Sequence, residues 1–271
     1  MATGTPSAQT LAARVRFRRN AANLTAGQLR ALRNAFAAVY AIHDDRGYDH
    51  WAGIHGLPLP IGCDNAHGTP YFLPWHRAYL YFFERTLRDQ VPNAMLTWWD
   101  WRRPTVAPAI PPAFADRRVG QGANPLYAAK VSALALRQGR AQGMSIGATT
   151  RRAPGRPTQL PTSSDVELAL SRRSFLDFTQ AAEELHNQIH VWVGGHMSQI
   201  PYAAFDPIFW AHHTMVDRLW RIWQLRHPGA GPPASVLDEA LPPFRMTVRQ
   251  TLSVTALGYD YAVTTTSAGA G

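Results

Sequence analysis

The sequence predicts a mainly α-helical domain, a four-helix bundle with long loops and a few short strands. Three observations carry that expectation. Apolar residues recur at helical spacing in four separate stretches. Helix-start residues stand at the head of three of them: Thr25, Pro74 and the pair Asp206-Pro207. The chain between the second and third stretch, 102–165, is rich in Pro, Gly, Arg and Ala.

The elements follow in order. Over 25–43, Leu29, Leu32, Phe36 and Val39 fall near one helix face, and Thr25 is suited to cap it. Tyr48 to His55 reads as a short helix that Gly56-Leu57-Pro58-Leu59-Pro60 breaks. Pro74 is expected at the first position of the next helix, PWHRAYLYFFERTLRD, where its missing N–H costs nothing. Residues 102–165 read as loops with helical pieces around 126–138. A helical pattern returns over 166–192. Asp206 is expected to cap the last long helix, with Pro207 at its first position. FRMTVRQTLSV, 244–254, alternates as a strand would. One domain is expected over 1–263, followed by a frayed tail, 264–271.

Composition narrows the function classes. With 271 residues, 46% of them hydrophobic, and nine tryptophans, the chain can bury a large core. No apolar run is long enough for a transmembrane helix, so no membrane partner is expected. The first ten residues, MATGTPSAQT, lack an apolar signal core; an export leader removed before this numbering would be compatible with that. The formal charge of +9 comes from scattered arginines without a basic block, which reads as a solvated surface and not as a nucleic-acid site. The single cysteine, Cys63, excludes an intrachain disulfide.

The eleven histidines are more informative, because they cluster in 43–76 and 186–227. His186 and His190 lie four apart, on one face of a helix, so both can reach one metal ion. Adjacent helical residues point about 100° apart, so only one of His212 and His213 readily joins them. Asp217 can either accept a second ring N–H from a neighbouring imidazole or stabilise helix packing. His55, His67 and His76 supply three more imidazoles from different segments. Imidazoles without carboxylates disfavour magnesium, calcium and manganese. A carboxylate-bridged di-iron bundle needs two ExxH motifs, and only Glu183-Glu-Leu-His186 is present. HExxH is absent. Zinc remains chemically open, and the pairing of two triads favours copper.

The segments HGTPYFLPWHRAYLYFFER (67–85), TWWDW (97–101), LHNQIHVWVGGHM (185–197) and DPIFWAHHTMVDRLW (206–220) resemble the type-3 copper proteins, specifically tyrosinases and polyphenol oxidases. The resemblance runs in order from Tyr48 to Trp223. It implies a bundle around a dinuclear copper site, with molecular oxygen as co-substrate and a small phenol as substrate. It implies His55, His67 and His76 on one copper, and His186, His190 and His213 on the other. Asn187 and an upstream glutamate, Glu183 or its neighbour Glu184, correspond to residues that position a phenol-deprotonating water. Val191, Met197 and Ile200 fall where relatives flank substrate or gate the entrance, and His196 could also touch it. Cys63 is either a thioether partner of His67, as in some relatives, or a small buried thiol.

The same resemblance makes LGYDYAV (257–263) a tyrosine motif that packs on Arg16 or Arg18. Asp100 is expected in a buried bond, and Phe72, Trp75, Trp210, Trp220 and Trp223 in the core around the metals. Relatives of this kind often carry a covering C-terminal domain, so either a processed or trimmed catalytic core or a naturally short protein is expected, and some bacterial relatives need a copper-delivering helper protein. Ortho-hydroxylation of monophenols and oxidation of o-diphenols is the expected activity. Catechol oxidase, o-aminophenol oxidase and an oxygen-carrying haemocyanin-like role are the alternatives.

Overall fold

The computed structural model describes residues 15–59, 63–104 and 108–262. Five helices carry the architecture: α1 (Ala26–Tyr40), α2 (Tyr48–His55), α3 (Phe72–Gln90), α4 (Phe175–Val193) and α5 (Ile208–Arg226). α5 packs on both α3 and α4, and α1 packs on α3 and α2. The expected tail, 264–271, lies outside the described residues.

Local chemistry explains where the helices start. Thr25 accepts the N–H of Gln28, whose side chain bonds back to the Thr25 N–H, a reciprocal cap. α3 begins at Phe72, two residues before the expected start, so Pro74 occupies the third position and not the first. The cost is still nil, because first-turn N–H groups have no intrahelical acceptor. α5 begins after Pro207; the Asp206 carboxylate accepts the Ile208 N–H at 3.1 Å and is itself gripped by Arg152. The pattern over 166–192 is two helices, Ser163–Leu170 and α4, because Ser174 accepts the Asp177 N–H and starts a new helix.

Two further expectations need correction. The helical piece forecast around 126–138 lies at Ala133–Ala141, behind the cap Ser132. The stretch 244–254 makes no named strand. The Gln250 side chain accepts the Thr247 N–H and the Gln250 N–H donates to the Thr247 carbonyl, which turns Val248–Thr251 into a short helix, overriding the alternation.

A small parallel sheet joins the chain's distant ends. Its strand order is β2 (Thr97–Trp98), β1 (Arg16–Asn20), β3 (Tyr259–Tyr261). Register pairs Arg16 with Tyr259 and Arg18 with Tyr261. Arg18, not Arg16, is the arginine of the tyrosine motif: its guanidinium lies 3.7 Å from the Tyr259 ring centre. Phe72, Trp75, Trp210, Trp220 and Trp223 are all buried, as expected. Asp100 is instead partly exposed and pairs locally with Arg102. Among the described residues, no helix is long and apolar enough to cross a membrane.

Candidate metal centre

The last turn of α2, the first turns of α3, the second half of α4 and the first half of α5 converge on one cluster of imidazoles. His55, His76, His186, His190 and His213 are buried, and His67 is partly so. Each ring has its Nδ1 engaged on the outside. The Nδ1–H of His76 donates to the Phe72 carbonyl at 2.8 Å and that of His213 to the Phe209 carbonyl at 3.0 Å, in each case one helical turn back. His190 donates to the Met197 carbonyl at 2.7 Å and His55 to the Ile200 carbonyl at 3.3 Å. His67 donates to Glu183 Oε1 at 2.7 Å and His186 to Asn187 Oδ1 at 3.0 Å.

An imidazole that spends its one proton at Nδ1 keeps a lone pair at Nε2. All six outer bonds therefore leave an Nε2 lone pair turned inward; at His55 it also lies 2.9 Å from Cys63 Sγ. His186 Nε2 lies 3.0 Å from both His190 Nε2 and His213 Nε2. Lone pairs facing each other at that distance repel unless a cation sits among them. Nitrogens bound tetrahedrally at roughly 2.0–2.1 Å stand about 3.3 Å apart, so the observed spacing fits metal ligation. His76 Nε2 is buried without a partner, which is a further unsatisfied acceptor aimed inward. The donor set fits copper: neutral nitrogen ligands, each with its outer nitrogen held by an acceptor.

The two halves differ. Ligand atoms of His186, His190, His212 and His213 form one compact group. On the other side His55 groups with His76 and His213, while His67 groups with His76 and Cys63. His76 and His213 are thus central, with stacked rings 4.8 Å apart. His212 sits close by, stacked on His186 at 5.0 Å, but neither of its ring nitrogens has a hydrogen-bond partner.

Several forecast roles change. Asp217 touches no imidazole among the described residues; it pairs with Arg77, Arg18, Tyr259 and Tyr261, so it acts in packing. Cys63 Sγ lies 2.9 Å from His55 Nε2. His67, the forecast thioether partner, is one turn further on, and its ring swings to Glu183. Met197 is fully buried and serves the site through its carbonyl. Val191 and Ile200 are 74% and 53% exposed, each beside a group that contacts an imidazole. His196 is a clasp: its Nε2–H donates to the Gly147 carbonyl and its Nδ1 accepts the Arg151 N–H. Gly194 and Gly195, both at positive φ, make the turn that folds Met197 back over His190. Phe209, which the spacing argument passed over, stacks on His213 at 3.9 Å and supplies its carbonyl.

Burial first, then neighbouring imidazoles, hold His55, His76, His186, His212 and His213 well below the usual histidine pKa. Burial lowers His190 to about 4, against its bond to Met197. In the metal-free protein the unfolded chain therefore binds protons that the native state refuses. Stability is full above the ordinary value, near 6.5, and is lost as pH falls towards 4. His190 alone contributes a loss of about 3 kcal/mol. Urea melts of the metal-free protein at about pH 7 and about pH 4 measure it; equal midpoints would show that the rings are not held neutral.

Comparison with known proteins agrees with this geometry. Residues 45–226 match the family described as the common central domain of tyrosinase. The chain is similar to a tyrosinase of Streptomyces glaucescens, 34% identical over 243 residues, covering 79% of this chain and 84% of that protein. It is also similar to "Hemocyanin A-type, units Ode to Odg" of Enteroctopus dofleini, 33% identical over 227 residues, 77% of this chain but only 18% of that much longer protein. Among solved structures, a functional unit of octopus hemocyanin superposes with a TM-score of 0.75 at 28% identity, covering 92% of this chain and 68% of that one. The match spans the segments that bring all six imidazoles together, and the chain belongs to the tyrosinase family of type-3 copper oxidases.

Proposed function

We propose that the chain uses molecular oxygen to hydroxylate monophenols at the ortho position and to oxidise o-diphenols to o-quinones. The observation that carries this reading is the common orientation of six imidazoles, each tied at Nδ1 with Nε2 turned inward, that of His55 beside the Cys63 sulfur. His55, His67 and His76 would hold one copper ion, and His186, His190 and His213 the other. When bound, the copper pair supplies the activation of oxygen.

The chain's own residues do the rest. Phe72 and Phe209 pack on the imidazoles and keep bulk water from the inner face. Val191, exposed beside His190, offers apolar surface to an aromatic ring. Glu183 has two tasks. Its Oε1 orients His67, and its Oε2, bonded only to the Gly68 N–H at 3.0 Å, keeps a lone pair for a proton. Asn187 Oδ1 accepts the His186 Nδ1–H and has a second lone pair beside it. A water donating to both Glu183 Oε2 and Asn187 Oδ1 becomes the base that deprotonates an entering phenol.

Oxygen uptake by the copper-loaded protein with a monophenol, a catechol and an o-aminophenol tests the reading. Glu183→Gln is expected to lower monophenol hydroxylation by at least about 100-fold, with a much smaller effect on catechol oxidation at equal copper content. Equal loss on both substrates would remove the base from Glu183. Uptake with catechol or the aminophenol alone would select the corresponding oxidase. Reversible oxygen binding without turnover of any of them would favour a carrier, the reading that the similarity to hemocyanins supports.

A further inference from the structure

We propose that the segment 194–203 is one backbone clamp on both halves of the metal centre, seated by a contact between Gly56 and Pro201. This rests on the assignment above of His55 to one copper ion and His190 to the other.

The backbone acceptors of the imidazoles are of two kinds. His76 and His213 donate to Phe72 and Phe209, one turn back on their own helices, so those bonds are as fixed as the helices. His55 and His190 lie on α2 and α4, yet both acceptors come from one short segment. The Ile200 carbonyl takes His55 Nδ1–H, and the Met197 carbonyl takes His190 Nδ1–H.

That segment is internally tied. Met197 N–H donates to Gly194 at 3.1 Å, Gln199 N–H to His196 at 3.1 Å and Tyr202 N–H to Gln199 at 2.8 Å. Successive turns thus join the Met197 and Ile200 carbonyls into one unit. One end is pinned at His196, whose backbone N–H donates to Arg151 and whose ring bonds Gly147 and Arg151. The other end is seated on the close of α2, where Leu57 N–H donates to the Pro201 carbonyl at 3.0 Å.

Gly56 stands between that bond and the bond from His55 to Ile200. A Cβ on Gly56 would lie 2.5 Å from Pro201 Cα and 2.6 Å from its carbonyl oxygen. Backbone cannot swing aside as a flexible side chain can, so only glycine lets the two chains meet this closely. A methyl group at Gly56 therefore drives Pro201, and Ile200 with it, away from His55. The His55 bond is the longest of the six outer bonds, at 3.3 Å, and opens first. Because the segment moves as a unit, the Met197 carbonyl shifts from His190 as well. Each imidazole then loses a bond that fixes its tautomer and ring orientation. Gly56 is thus a positioning residue that acts on both copper sites through one turn.

The test compares wild type with Gly56→Ala. In the metal-free full chain at neutral pH, long-range proton–nitrogen NMR of the histidine rings reads tautomer and Nδ1 hydrogen bond ring by ring. The Nδ1 signals of His55 and His190 should both move, while those of His76 and His213 stay in place. Competition with a Cu(I) chelator should show both ions held about 10–100-fold more weakly, the range for losing an outer acceptor. His196→Ala, which loosens the opposite end, should move the same two signals even if Gly56→Ala does not fold. A shift confined to His55 in Gly56→Ala, with one ion kept at wild-type affinity, overturns the proposal. So does a shift confined to His190 in His196→Ala, or one spread over all four rings. Neither readout involves oxygen or a phenol, so a protein that oxidises no phenol could still show the paired response, and that result would overturn the phenol-oxidase reading alone.

Discussion

Copper content is expected to fall from two ions per chain to one when His213 becomes alanine, and to stay at two when His212 does. Both side chains are buried on α5 and adjacent in sequence, so burial does not separate them. Their outer bonds do. His213 spends its Nδ1 proton on Phe209 and presents Nε2 3.0 Å from His186 Nε2. His212 is held by burial and by stacking on His186, and neither of its nitrogens is tied outward as His213 Nδ1 is. Losing an acceptor on an outer nitrogen alone costs about 10–100-fold in metal affinity or activity. Losing the ligand itself should therefore lower oxygen uptake with phenols by more than about 100-fold. Elemental analysis of the dialysed variants, read beside oxygen uptake, decides it. A His213→Ala protein with two ions and a His212→Ala protein with one would exchange their roles. His213 is also the ring that stacks on His76, so its loss should disturb both halves of the centre.

That choice marks how far the sequence reaches. Helical periodicity and the four-residue spacing place His186 and His190 on one face, and the structure puts their Nε2 atoms 3.0 Å apart. The helices of the bundle were equally legible, because their apolar faces and caps are local: Thr25 with Gln28, and Asp206 before α5. Ser174 with Asp177 is the same kind of signal, and it accounts for the break that periodicity alone passed over. At 244–254 the reverse occurred, since a cap at Thr247 outweighed a period-two pattern.

The outer contacts of the imidazoles were not legible, for a physical reason. Four of the six Nδ1 acceptors are backbone carbonyls, which every residue carries. Which carbonyl arrives depends on loop paths, such as the turn at Gly194 and Gly195 that brings Met197 to His190. The resemblance placed Met197 and His196 at the entrance near substrate, yet one is buried and the other is locked between Gly147 and Arg151. Cys63 shows the same limit, because the distance from its sulfur to His55 is set by the loop before α3 and not by its spacing from His67.

Asp217 shows the limit on a larger scale, and its replacement carries the largest expected loss of stability. The carboxylate is buried with Arg18 and Arg77, and it accepts from Tyr259 and Tyr261 as well. Burial pushes its pKa up, but Arg77 and Arg18 hold it below the usual carboxylate value, so it is charged at neutral pH. Asp217→Ala leaves Arg77, fully buried over Trp220, with no carboxylate, whereas Arg18 keeps Glu84. Breaking such a pair from one side costs about 3–5 kcal/mol, because the stranded charge stays desolvated. For a chain of this length that corresponds to a melting point lower by roughly 10 °C. Asp217→Asn, which keeps the shape and one acceptor, should lose less. The group sits one turn from His213 on α5, and Arg77 follows His76 on α3, so the pair sets how the two metal-bearing helices meet. At saturating copper the Asp217→Ala protein should still bind two ions, since no imidazole bonds to Asp217. A melting point within about 2 °C of wild type would mean that water or side-chain rearrangement satisfies Arg77, and that the network does not hold the helices together.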